Sequence, residues 1–177
     1  MPRSTHHCRP LVPTAALAFA SALLAAGCAV TEPSAPAGVT AGEPPFVHVA
    51  SSRGPQAVHR RGQPFEIDVV VDQDTHLYCF LVDEHRRVNQ FFPNRAQPDP
   101  QVRGGTRMQF PGRLPFRFVA SESGVTESVA CYAAPAGLGA EPMKELPQVG
   151  STAELTAAFR KLAGPRTGVG VYDVQSR

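Results

Sequence analysis

Hydrophobic and polar positions alternate in two early stretches of the chain. The residues from Phe46 to Ala50, FVHVA, alternate over a short run. The residues from Phe65 to Val71, FEIDVVV, place apolar side chains at every second position and acids at Glu66 and Asp68. A period of two with one apolar side is typical of a half-buried strand. We predict two such strands, separated by a polar turn.

A longer stretch, Leu77 to Asn94, has a different pattern. Two apolar runs, Leu77 to Val82 and Val88 to Phe92, flank the polar segment Asp83 to Arg87. Such a layout predicts a β-hairpin. Both faces of the first run are apolar, and a strand covered on both faces lies in the middle of a fold. We therefore expect this hairpin to be the structural centre.

The pattern after the hairpin predicts several short strands. Residues 95–105 form a polar loop rich in proline and glycine. Short apolar runs then follow at Thr106 to Phe110, Phe116 to Ser121 and Glu127 to Ala133. Strands separated by turn signals at spacings near ten residues are typical of sandwiches and barrels. We predict a mainly β fold, an antiparallel β-sandwich or partly open barrel.

The hydrophobic period changes near residue 150. Ser151 and Glu154 fit a capping box, and Gly164-Pro165 ends the helical pattern. The apolar face is predicted to contain Leu155, Phe159 and Leu162. We expect one C-terminal amphipathic helix, about residues 152–163, packed on the sheet. Val169 to Val174 is predicted to be a last strand.

The beginning of the chain has the layout of a secretory signal peptide. Arg3 and Arg9 precede an uncharged run from Leu11 to Ala26, which is too short and too rich in alanine for a comfortable membrane span. The stretch from Leu24 to Cys28 resembles the bacterial lipobox, in which the cysteine sulfur receives a diacylglycerol. The alternative is an ordinary cleaved signal followed by a chance cysteine.

The lipobox resemblance implies a domain organisation. Residues 1–27 would be a lipoprotein signal peptide, and residues 28–45 a lipidated N-terminus and flexible Pro/Ala-rich tether beginning at Cys28. Ala29 resembles the outer-membrane sorting default, which implies a lipid-anchored protein on the periplasmic side of the outer membrane. Residues 46–177 would then form a single β-rich domain.

The charge balance argues against a nucleic-acid partner. Removal of Arg3 and Arg9 with the leader lowers the basic count from 17 to 15, which equals the 15 acidic residues. A nucleic-acid binder would keep a basic excess in its working part. We expect no nucleic-acid partner.

Two cysteines, Cys79 and Cys131, remain after the leader and Cys28 are set aside. An even pair in an exported protein is a disulfide candidate, and each cysteine lies inside a predicted strand. The alternative is two small buried apolar side chains that never meet.

No catalytic template fits the chain. HExxH, CxxC, GxSxG and the glycine-rich phosphate loop are all missing from the sequence. We predict no catalytic residues, no metal site and no cofactor. A ligand pocket, if present, is predicted beneath the 95–105 loop with Arg95, Arg103 and Arg107 at its mouth.

A set of short motifs resembles the bacterial domain-of-unknown-function family numbered 4384. The motifs are Phe65-x-Ile67-x-Val69, Tyr78-x-Phe80-x-Val82-Asp83, Arg87-Val88, Phe92-Pro93-Asn94, Val102-x-x-Gly105, Pro111-Gly112 and Gly124-x-x-Glu127. The likeness covers about residues 65–133. In this family the hairpin turn often carries glycine where Arg86 stands here. The resemblance implies a β-rich domain of exported or multidomain bacterial proteins and supplies no established activity.

Three functions are compatible with these features. The first is a non-catalytic outer-membrane lipoprotein that binds or scaffolds a protein partner in an envelope or secretion assembly. The second is a sensory module that binds a small ligand or glycan. The third is an envelope enzyme of unfamiliar type.

Overall fold

The computed structural model describes residues 43–138 and 146–177, so the predicted signal peptide, Cys28 and most of the tether lie outside the described residues. The described chain contains eleven strands, one α-helix (α1, Thr152–Ala163) and a short 3-10 helix (Leu146–Gln148). The strands are β1 (Val47–Ser51), β2 (Val58–His59), β3 (Pro64–Phe65), β4 (Ile67–Val71), β5 (Thr75–Val82), β6 (Val88–Phe92), β7 (Gln101–Val102), β8 (Arg107–Phe110), β9 (Phe118–Val119), β10 (Glu127–Ala134) and β11 (Gly168–Ser176).

The strands form a central sheet, a three-stranded sheet and a small two-stranded ribbon. The central sheet has the order β2-β11-β10-β5-β6, with β7 also paired to β5. The three-stranded sheet has the order β1-β4-β8, and the ribbon joins β3 to β9. All these pairs are antiparallel except β2 with β11. The prediction of a mainly β, antiparallel fold with one C-terminal helix is confirmed, and the described strands do not close into a barrel.

The central sheet is covered on both faces. Leu77 and Cys79 of β5 belong to one core cluster, which includes Val47 and Val49 of β1 and Val69 and Val71 of β4. Tyr78 and Phe80, on the opposite face, belong to a second cluster with the helix residue Phe159. The two apolar faces seen in the sequence of β5 are therefore the two cores of the domain. This explains why the hairpin is central.

Two glycines let β1 approach the central sheet closely. Gly168 and Gly170 lie on the same face of β11, separated by Val169. A Cβ atom at Gly170 would lie only 2.5 Å from the carbonyl oxygen of Val47 in β1, a separation that atoms do not adopt. The absence of side chains here brings β1 directly against β11.

The hairpin turn is held by Asp83. Its carboxylate accepts the backbone N–H groups of His85 and Arg87, at 2.9 and 2.8 Å, and the Arg87 Nε–H at 2.7 Å. Burial alone would raise the pKa of Asp83, but these hydrogen bonds outweigh it and hold the pKa below its usual value. Arg86 has φ = 61°, the left-handed conformation that favours glycine. A glycine at this position would adopt the same conformation without a steric cost.

Helix α1 begins and ends where the sequence predicts. The Ser151 hydroxyl accepts the N–H of Glu154 at 3.2 Å, while the Glu154 carboxylate accepts the N–H of Gly150. Leu155 and Phe159 are fully buried. The prediction that Leu162 lies on the same buried face is wrong, because it is 36% exposed. No helix of the described ranges is long and apolar enough to span a bilayer.

Candidate functional site

An interruption in the strand pairing creates a groove on the surface of the domain. Phe65 pairs with Phe118, and Ile67 pairs with Phe110. Phe65 and Ile67 lie two positions apart in the chain, whereas their partners Phe118 and Phe110 lie eight positions apart. Residues 111–117 must therefore leave the sheet and arch over its surface. We call this segment the 111–117 loop.

The arginine groove lies between the 111–117 loop, β3 and the turn after β1, and it has a volume of about 550 Å³. Its apolar lining includes the buried Phe65 and the half-buried Leu114 and Phe116, and we call these three residues its floor. Three exposed arginines line it, namely Arg53, Arg113 and Arg117. The volume lies within the range of about 300–1,000 Å³ that is usual for ligand sites.

The guanidinium groups of the groove are not neutralised by ion pairs within the described chain. The ion pairs there join His85 to Glu84, Arg87 to Asp83 and Arg107 to Asp68. Glu66 is the one carboxylate that lines the groove, and it accepts a hydrogen bond from the Gln109 side chain at 3.0 Å. Three positive charges thus face one negative charge.

This arrangement suits a ligand with both anionic and apolar parts. A guanidinium group presents a planar fork of N–H donors that matches carboxylate and phosphate oxygens. The apolar floor removes ligand carbon atoms from water, which adds affinity. The sequence analysis did not find this site, because Arg53 is 60 positions from Arg113 and only the fold brings them to one groove.

The three arginines named from the sequence lie on separate elements. Arg107 of β8 pairs with Asp68 at 2.6 Å, and this hydrogen bond raises the pKa of Arg107. Arg103 lines a polar pocket of about 420 Å³ with Asp74 and Asp99. Arg95 is exposed in a turn after Asn94. Of the three arginines, Arg103 lines this pocket, and neither Arg95 nor Arg107 is among its lining residues.

The two cysteines are joined in a disulfide across the centre of the fold. Cys79 of β5 and Cys131 of β10 are direct partners in the sheet register, and their sulfur atoms lie 2.10 Å apart. Both residues are fully buried on the face towards the three-stranded sheet. The bond therefore links the hairpin to β10 inside the core.

Asp72 and Asp74 cap backbone groups. Asp72 accepts the N–H of Phe46 at 2.8 Å, and Asp74 accepts the N–H of Gly104 at 2.9 Å. In the part of the chain that the structure describes, no three or more His, Cys, Asp or Glu residues are grouped to hold a metal ion.

A carboxylate cluster fixes the hairpin turn to the segment before β10. Glu84 accepts hydrogen bonds from the hydroxyls of Ser121 and Ser123, and these bonds lower its pKa. Glu127 is buried and accepts the N–H of Ser121 at 2.9 Å. Burial raises the pKa of Glu127, and the nearby charges of Glu84 and Asp83 raise it further.

A second groove, of about 660 Å³, runs beside β11. The buried Tyr172 lies at its base, where its hydroxyl is 3.2 Å from His59 Nε2 and donates to the Ala57 carbonyl at 3.1 Å. Burial lowers the pKa of His59, with a smaller contribution from the charge of Arg53. His59 is therefore a neutral, buried partner of the tyrosine.

Residues 58–136 match the sequence model of a family described as Domain of unknown function (DUF4384). The chain contains a DUF4384-like domain. The match confirms the resemblance inferred from the motifs and extends it at both ends. No curated protein and no solved structure matches the chain.

The DUF4384-like stretch contains the hairpin, both cysteines, Arg113 and Arg117. Strands β1 and β11 and helix α1 lie outside it, although β1 and β11 complete the two larger sheets. The folded unit is thus larger than the matched stretch. One wall of the arginine groove, formed by Ser52 and Arg53, lies outside the matched stretch.

Proposed function

We propose that this protein is a non-catalytic, lipid-anchored binding module of the bacterial cell envelope. It would be attached through Cys28 to the outer membrane, face the periplasm and dock an envelope partner protein as a scaffolding or accessory component. The arginine groove is the observation that carries the proposal, because it combines unpaired positive charge with an apolar floor.

The proposed location is supported by the lipobox-like stretch and by the disulfide. The lipobox-like stretch before Cys28 favours acylation, and several acyl chains at about 0.8 kcal/mol per buried methylene would give a stable anchor. The disulfide between Cys79 and Cys131 is favoured in oxidising compartments such as the periplasm. Both features are compatible with one exported protein.

A binding role is favoured over catalysis by the state of the reactive side chains. Cys79 and Cys131 are consumed by their disulfide. His59 is buried with its Nε2 hydrogen-bonded to Tyr172. Glu84 and Glu127 act as acceptors for Ser121. These groups hold the fold together, whereas the arginines of the groove face solvent.

A second candidate function, a glycan-binding module, is favoured by the groove beside β11. Its lining includes His48, Gln56, Asp173 and Gln175, whose side chains can bind hydroxyl groups. A sensory or small-ligand role would use this surface instead of the arginine groove.

The anchor is tested by fractionation of cells that express the full chain or Cys28→Ala. We expect the wild-type protein in outer membranes and the variant in soluble fractions. Persistence of Cys28→Ala in the membrane fraction would contradict the lipid anchor.

The binding surface is tested by a photo-crosslinking amino acid at position 117, in the groove, or at position 95, outside it. Both are exposed arginines, so they form a matched pair. We expect a defined protein adduct in intact cells from position 117 and none from position 95. Equal labelling from both positions, or no protein adduct from 117, would refute the proposed surface.

A further inference from the structure

We propose that the arginine groove binds an acidic peptide segment of the partner protein. Its carboxylates would pair with Arg53, Arg113 and Arg117, and a neighbouring apolar side chain would lie on the groove floor. This inference rests on the proposed binding role of the groove and names the chemistry of its occupant.

Charge complementarity is the first argument for this occupant. The groove carries three guanidinium groups against the single carboxylate of Glu66, which is already hydrogen-bonded to Gln109. Arg113 and Arg117 belong to the 111–117 loop, whereas Arg53 belongs to the turn after β1. Positive charge therefore comes from two separate segments of the wall, which suits carboxylates spaced along a chain.

The floor is the second argument. Phe65, Leu114 and Phe116 form its apolar part, and Pro64 and Pro111 border it. A free phosphate ion has no carbon atoms to place there, so it would leave this surface in water. An acidic segment with an interspersed leucine or phenylalanine would use both the guanidinium groups and the floor.

A membrane surface is the poorer match. The chain enters the domain at Phe46, before β1, whereas Ser52 and Arg53 follow the opposite end of this five-residue strand. At about 3.3 Å per residue the two ends are roughly 16 Å apart. In addition, a flat layer of lipid headgroups contacts only protruding side chains, so it cannot reach the floor of a concave groove.

The experiment uses the full-length protein in detergent micelles and measures fluorescence anisotropy of a labelled ten-residue peptide with alternating glutamate and apolar residues. The control peptide has glutamine in place of every glutamate. We expect at least tenfold weaker binding of the control peptide. We also expect the double variant Arg113→Gln/Arg117→Gln to weaken binding of the acidic peptide by tenfold or more.

The matched control protein is Arg95→Gln, which removes an exposed arginine outside the groove and should bind like the wild type. Competition by inorganic phosphate and by phosphatidylglycerol added to the micelles identifies other anions. Equal binding of the two peptides, an unaffected double variant, or displacement by phosphate or phosphatidylglycerol at equal anion concentration would each overturn the inference.

Failure of this inference can be distinguished from failure of the proposed function. If position 117 still crosslinks a protein in cells, and mass spectrometry maps the adduct to a segment without acidic residues, the binding role stands and the acidic occupant is wrong. If no protein is captured at the groove, the proposed function itself fails.

Discussion

The central hairpin and the arginine groove differ in whether their charged side chains have partners within the domain. In the hairpin, Asp83 accepts three N–H groups from its own turn, and Glu84 is bonded to two serine hydroxyls. In the groove, Arg113 and Arg117 have no carboxylate within ion-pair distance in the described chain. Charges that are neutralised internally stabilise the fold, whereas charges left over an apolar floor are available to a ligand.

The two regions also differ in what they bury. Both faces of the hairpin strand β5 are core, and its removal would expose two hydrophobic clusters. The groove buries only its floor. Substitutions in the hairpin or its packing partners should therefore change stability, and substitutions of the groove arginines should change binding.

The largest expected effect is on the helix side of the hairpin. Phe159 stacks on Tyr132 with ring centroids 4.6 Å apart and also contacts Tyr78. Phe159→Ala should lower the free energy of unfolding by about 4 kcal/mol, measured by urea denaturation. Leu162→Ala, on the same helix but exposed, should cost less than about 1 kcal/mol. Similar losses for both would show that the helix does not pack through one buried face.

The opposite face of the hairpin is tested through the disulfide, which closes a sequence separation of 52 residues. Cys79→Ala/Cys131→Ala should lower the free energy of unfolding by roughly 2–4 kcal/mol, because the cross-link restricts the unfolded chain. Mass spectrometry with and without a reductant verifies that the wild-type bond is formed. A double variant as stable as the oxidised wild type would show that the disulfide does not stabilise the folded domain.

The hairpin turn offers a stabilising change. Arg86 adopts a positive φ, at which a Cβ atom costs about 1 kcal/mol. Arg86→Gly should raise the free energy of unfolding by up to about 1 kcal/mol, and Arg86→Ala should not. A destabilised glycine variant would mean that the arginine side chain contributes more than its backbone costs.

The carboxylate cluster gives a pH-dependent prediction. The folded-state pKa of Glu127 is raised, so the unfolded state loses its proton first, and wild-type stability falls as the pH rises through the folded pKa. Glu127→Gln cannot ionise and should gain stability relative to the wild type as the pH rises above about 4.3, the usual pKa of a glutamate side chain. Denaturation curves at a series of pH values below and above this pKa measure the difference.

Glu84 is the matched control, since its pKa is lowered by the hydroxyls of Ser121 and Ser123. Its ionised form stabilises the fold above its usual pKa, and this contribution is lost as the pH falls. Glu84→Gln should therefore lose stability relative to the wild type as the pH rises. Parallel slopes for the two variants would contradict the assigned roles.

The smallest expected effect on stability is in the groove. Arg113→Gln and Arg117→Gln remove exposed side chains and should change the free energy of unfolding by no more than about 0.5 kcal/mol. The same variants should alter peptide binding. A large loss of stability would show that these arginines stabilise the fold, as the charged residues of the hairpin do.

Local patterns predicted much of the fold because the physical cause of each element is itself local. The continuous apolar run of β5 predicted that both of its faces are buried, and Ser151 predicted the start of α1. Leu162 was misplaced because helical periodicity gives the direction of a side chain but not where the covering sheet ends. The two-residue strands β2 and β7 carry no periodic signal and follow from tertiary pairing.

The candidate site was beyond local patterns for a related reason. Arg95, Arg103 and Arg107 are close in sequence, yet Arg107 pairs with Asp68, and of the three Arg103 alone lines the polar pocket with Asp74 and Asp99. Arg53 and Arg113 are distant in sequence, and the interruption between β8 and β9 brings them to one groove. Proximity along the chain is a poor guide where a site is formed by strand register.

The 111–117 loop also bears on how such a domain can diversify. Both of its ends are fixed against one continuous segment, through Phe110 opposite Ile67 and Phe118 opposite Phe65. Residues can be inserted or removed between these anchors without shifting the register of either flanking strand, so the hydrophobic faces keep their places. The length and composition of the loop can therefore evolve, or be redesigned, independently of the strands that flank it.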